Sequence, residues 1–215
     1  MSNDFSLGTA AMSYVCLLFA LCVHEASHAA MADRCGDPSA RFLGRLSLNP
    51  LVHIDLVGTV IIPLVIMFTG SRFLIGWAKP VPVNPRNFRN MRRDQVLVAL
   101  AGPASNLVLA ITVALLLRIV ILITGGQIPV ALEPVLTFGL MLAFINVVLL
   151  VFNLLPIPPL DGSWVLHYFL PPSGQRMLEQ IAPFGILLIL LVGRKVIIVP
   201  LAILWGLLRQ FVLGA

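Results

Sequence analysis

The sequence predicts an all-α polytopic membrane protein, a bundle of about four to six transmembrane helices with a short re-entrant or extended, β-like segment on the cytosolic side. Three observations carry that expectation. Of 215 residues, 59% are hydrophobic and 11% charged, where soluble domains average about 25% charged. Apolar runs of about 20 residues, the length that crosses a bilayer, recur along the chain. The basic residues gather between those runs, nine of the fourteen Lys and Arg lying from Arg34 to Arg93. The net charge of +5 therefore reads as a topology signal. Its side chains are few and carry no aromatic stacking residues among them, which excludes a nucleic-acid partner.

Residues 7–32 form the first span. No Lys or Arg precedes Arg34 and Asp4 is acidic, so the positive start of a cleavable signal is missing and the helix is expected to be retained. Residues 55–70 make a shorter apolar run with Gly58 and Pro63 inside it, which suits a re-entrant segment or a marginal span. Residues 75–85, with three prolines, read as extended chain. The next span, 95–124, carries Arg118 near its far end, where a long side chain can reach the interface. Residues 131–155 form another, broken by Pro156, Pro158 and Pro159. The remainder reads as 178–193 and 196–213, a final hairpin or one span plus an interfacial helix.

The positive-inside rule makes 34–54 and 71–93 cytosolic, whereas 125–133 has no basic residue. Arg194 and Lys195 fit that scheme poorly. The three cysteines, Cys16, Cys22 and Cys35, are odd in number with no close pair, which argues against a disulfide framework or a cysteine zinc site. One membrane-embedded domain, 1–215, is the simplest organisation.

The chemistry lies in His24-Glu25-Ala26-Ser27-His28 of the first helix. Positions i and i+4 share a helix face, so two imidazoles can meet one zinc ion with Glu25 beside it. A shuffled chain of this composition would contain that HExxH pattern roughly once in a thousand trials. The plain alternative is a hydrogen-bonded polar cluster in the bundle interior, but three ionisable residues within a span are too costly to keep for that.

A catalytic zinc usually has three protein ligands. The third candidates are His53, Asp55, Asp161 and His167. Asp161 follows a proline-broken stretch at the end of a span, where a carboxylate lining a polar cavity needs a cation. It is the preferred choice, with a helix N-cap as its ordinary alternative. His53 and Asp55 read equally as a loop turn and an N-cap, and His167 as an interfacial histidine.

With these segments in view, the chain resembles the site-2 proteases, the intramembrane zinc metalloprotease family. HEASH is similar to that family's zinc helix and FNLLPIPPLDG, residues 152–162, to its second motif. AGPASN, residues 101–106, and GWAKPVPVNP, residues 76–85, resemble segments of the compact bacterial branch. The resemblance implies that His24, His28 and Asp161 bind one zinc ion and that Glu25 is general base and acid. It also implies that Asn153 and Pro159 help to position the substrate strand. Read without the resemblance, Asn153 is a bundle-interior amide and AGPASN a patch of small residues for close helix packing. No segment is large enough for the PDZ or CBS domain that many members carry, so regulation by an attached domain is not expected.

The implied reaction is hydrolysis of peptide bonds within or near transmembrane segments by zinc-activated water, with Glu25 moving the proton. The partners are a transmembrane protein substrate and the lipid bilayer. The protein would be a multi-pass component of the cell membrane, its site nearer the cytosolic face. A substrate helix must unwind locally, and 75–85 could offer an edge on which it docks by β-addition. The rivals are a membrane metal-ion transporter and a non-catalytic zinc-binding membrane protein, neither of which needs Glu25 as a base.

Overall fold

Backbone amides in hydrocarbon have no water to bond, so an apolar run closes its hydrogen bonds internally as a helix. The computed structural model describes residues 7–69 and 76–214. Of the described residues 79% are helical and none lies in a strand. In chain order, α1 is Leu7–Cys35, α2 is the short Ser39–Phe42, and a π-helical turn Leu56–Ile61 leads into α3, Ile62–Phe68. Then come α4, Met91–Ile123, α5, Glu133–Asn153, α6, Asp161–Phe169, and α7, Pro172–Ile181. The chain ends with α8, Gly185–Leu188, and α9, Arg194–Leu213.

Among the described residues, four helices are long and apolar enough to cross a membrane: Gly8–Cys35, Met91–Ile123, Val130–Asn153 and Val196–Leu213. The stretch 178–193 is divided among α7, a 3-10 turn with Pro183, α8 and a π-helical turn. The first helix has the lowest hydropathy of the four yet half of its apolar window is buried, against 6% for the last. Its polar residues explain this: a helix carrying two histidines and a glutamate must sit among other helices, whereas α9 can face lipid.

Contacts along the helices give their directions. His28 meets Val98 and His24 meets Asn106, so α1 and α4 are antiparallel. Ala110 packs with Val147 and Val151, and Ala114 and Leu117 pack near Leu136 and Leu140, which makes α5 antiparallel to α4. Leu201 and Leu208 follow Ala110, and Val212 joins Leu117, so α9 runs parallel to α4. The C-terminal ends of α1 and α5 and the N-terminal ends of α4 and α9 therefore share one end of the bundle. Arg194 and Lys195 open α9. Their side chains, with Asp4 and residues 70–75, lie outside the described residues.

The π-helical turn and α3 together cover 13 residues, about 20 Å at 1.5 Å per residue, too short for a hydrocarbon core of about 30 Å. The chain also comes back to where it set out. Trp77 N–H donates to Gly58 O at 3.2 Å, Thr59 Oγ1 to Trp77 O at 2.8 Å, and Lys79 N–H to His53 O at 2.9 Å. A Cβ on Gly58 would collide with the Trp77 indole, so only glycine admits this closure. The chain at Trp77 thus lies back against Gly58, and residues 76–84 run on as extended chain without helix or strand.

Two polar devices secure the shared end. Asn90 caps α4 by accepting from Arg93 N–H at 3.1 Å, while Asp94 accepts from Asn90 N–H at 2.9 Å. This reciprocal cap starts the helix four residues before the expected 95. Asp37, fully buried after α1, accepts from Ser39 Oγ, Asn84 N–H and Asn87 Nδ2 at 2.6, 2.7 and 2.8 Å. It ties the end of α1 to the extended segment. Burial alone would raise its pKa, but these donors favour the charged form and hold it below the ordinary 3.8.

Candidate metal centre

One helical turn separates His24 from His28 on α1, and both rings are buried, at 4% and 8% exposure. Each is held by its Nδ1. His28 Nδ1 lies 2.7 Å from Val98 O, and a carbonyl only accepts, so the ring donates there and leaves Nε2 bare. For His24 the polarity is set two residues away. Asn146 Nδ2 donates to Leu142 O at 2.8 Å, which turns Asn146 Oδ1 toward Asn106 Nδ2, also at 2.8 Å. Asn106 Oδ1 must then face His24 Nδ1, 2.7 Å away, and receive its proton. Both histidines therefore present an Nε2 lone pair to the same point.

Asp161 brings a third acceptor there. It is the first residue of α6, beyond the Leu160 cap, and it makes no cap bond of its own, so the N-cap alternative is not realised. Its Oδ2 lies 3.2 Å from His24 Nε2 and 3.4 Å from His28 Nε2, and the two Nε2 atoms are 3.0 Å apart. That oxygen is buried without a hydrogen-bond partner. Three acceptors facing one another repel unless a cation stands between them. Ligands about 2.0–2.1 Å from a tetrahedral zinc lie about 3.3 Å from one another, and the three observed separations bracket that value. The donor set thus fits zinc, and among the described residues His24, His28 and Asp161 are the group so gathered.

The site has room because position 102 is glycine. A Cβ there would fall on His28 Nε2 and on the His24 ring. Glu25 is held by the returning segment: its Oε2 accepts from Val81 N–H at 2.9 Å. The other candidate ligands are not part of this group. His53 Nε2 lies 2.8 Å from Ser47 O, Asp55 caps the helical turn after it, and His167 lies 3.6 Å from Glu179 Oε1. Asn153 Nδ2 donates to Leu149 O, four residues back, at 3.0 Å, and Pro159 is exposed. Neither has a described bond to the three ligands.

Comparison with known proteins finds relatives of this chain. Residues 118–192 match the model of peptidase family M50. The chain is 36% identical to "Putative zinc metalloprotease YwhC" of Bacillus subtilis over 198 residues, 91% of this chain and 84% of that protein. The chain belongs to peptidase family M50, the site-2 proteases. It is also 36% identical over 172 residues to "Putative zinc metalloprotease Rip2" of Mycolicibacterium smegmatis and 34% identical over 174 residues to that of Mycobacterium tuberculosis. Each match covers 80% of this chain and 62% of the relative. No solved structure matches it.

In this M50 chain the AGPASN segment does more than pack helices. Gly102 gives the imidazoles their space and Asn106, one turn on, fixes the His24 tautomer. Asn146 was not singled out by the sequence reading, although a signal was present: a fully buried amide in an otherwise apolar span needs a partner of its own kind.

Proposed function

We propose that the chain is an intramembrane zinc metalloprotease in which His24, His28 and Asp161 hold one zinc ion and Glu25 is the general base and acid. The observation that carries this reading is the convergence of two tautomer-fixed Nε2 atoms and an unpartnered buried carboxylate oxygen on one point. The names of the relatives support it.

Zinc, when bound, supplies a Lewis acid that acidifies the attacking water and polarises the scissile carbonyl. Glu25 takes the proton of that water as it attacks and delivers it to the leaving amine. Asn106 and Val98 hold the imidazoles in the tautomer that binds metal. The apolar helices around the site strengthen each of these electrostatic terms.

The substrate is a transmembrane segment of another membrane protein, unwound near the cut so that its backbone can reach the site. Gly, Pro or polar residues there would favour unwinding. The inner edge of 76–84 is spent, since Trp77, Lys79 and Val81 N–H all have acceptors. A substrate strand would therefore add to the opposite edge. Pro80 and Pro82 leave that edge without their two donors, so it serves mainly as an acceptor. Asn153 and Pro159 would flank the docked strand. The site lies toward the end of the bundle rich in basic residues, which supports a cytosol-proximal site in a multi-pass protein of the cell membrane.

The test is cleavage of a transmembrane substrate in detergent by the wild type and by Glu25→Gln, with zinc measured in both. The reading predicts zinc in both proteins and cleavage lost in the variant. A transporter or a binding protein would leave the two indistinguishable.

A further inference from the structure

Glu25 is anchored by a backbone group, and the sequence around that group is unusual. Its Oε2 accepts from Val81 N–H at 2.9 Å. Val81 stands between Pro80 and Pro82, which have no N–H, so its amide is the single backbone donor of residues 80–82. That amide is fixed from both sides. Before it, Lys79 N–H is bonded to His53 O at 2.9 Å and Trp77 N–H to Gly58 O at 3.2 Å. After it, Asn84 N–H is bonded to the buried Asp37 at 2.7 Å. A slip of one residue in either direction would bring a proline, with no donor, to Glu25.

A glutamate has three rotatable side-chain bonds, and a proton-transfer group works only within hydrogen-bond reach of its proton. One oxygen held by a rigid amide removes most of that freedom and leaves the second oxygen for the water. We propose that Val81 N–H is the positioning group for Glu25, with the flanking prolines fixing which amide is presented. This rests on the reading of Glu25 as general base.

The test replaces Val81 in the full-length protein by its α-hydroxy acid, which turns the Pro80–Val81 amide into an ester and removes the N–H alone. With a transmembrane substrate, kcat should fall about tenfold or more while KM stays at the wild-type value, since the lost bond orients a reacting group and holds no substrate. Zinc content should be unchanged. A second measurement needs neither zinc nor turnover: in 15N-valine-labelled, metal-free protein, the Val81 amide proton should move upfield in Glu25→Ala. Wild-type kcat in the ester protein, or a Val81 resonance indifferent to Glu25→Ala, would overturn the proposal. Should the ester protein not fold, the resonance decides alone. Failure of the protease reading looks different: wild type and Glu25→Gln would then cleave equally, whatever the Val81 resonance does.

Discussion

Asn106 shows how much of the proposed metal centre lies outside its three ligands. It touches no metal position, yet through Asn146 and the Leu142 carbonyl it determines which nitrogen of His24 carries the proton. Asn106→Ala should therefore weaken zinc binding about 10- to 100-fold, measured by competition with a calibrated chelator. Gly102→Ala should act more severely, because its methyl group would occupy the space between the rings. The expected result is zinc content near zero with helical circular dichroism unchanged; full zinc occupancy would show that α4 can move aside. That His24, His28 and Asp161 gather at one point was legible in the sequence, since HExxH spacing and a carboxylate after a proline break each name a chemistry. The tautomer chain was not, because it joins residues 40 positions apart that carry no spacing rule.

At the scale of elements, the returning segment 76–84 is pinned by Asp37 at one end and by the His53–Thr59 loop at the other. Three prolines predicted its extended form. Its closure onto Gly58 was not predictable, because it depends on a tryptophan 19 residues later fitting where a side chain is absent. Asp37 makes the pinning sensitive to pH. A carboxyl group whose folded pKa lies below its unfolded value contributes stability above the unfolded value, and loses it as pH falls through the folded one. Asp37→Ala should thus lower the melting temperature at pH 7, and the gap from wild type should close as the pH is taken below about 3.8. A gap constant from pH 7 to acid would show that the side chain acts by packing. The divided helix from α7 to α9 was the least legible part, because an apolar run says nothing by itself about where Pro183 and the π-helical turn interrupt it.

For the whole molecule, the bundle places the ends of α1, α4, α5 and α9 that flank the metal centre on one side, together with most of the basic loops. With that side in the cytosol, a cysteine at Arg86 should be labelled by a membrane-impermeant reagent only in inverted vesicles, and one at Gly126 only in intact cells. The reverse pattern would invert the orientation, though it would leave the site untouched. The central claim is that three side chains from α1 and the start of α6 hold one zinc ion. Zinc-edge X-ray absorption of the purified protein tests it most directly. The predicted spectrum has two imidazole nitrogens at about 2.0–2.1 Å and oxygen ligands at about 2.0–2.2 Å, with a nitrogen lost in His28→Ala. A sulfur shell at about 2.3 Å, or a spectrum unaltered in Asp161→Ala, would contradict it.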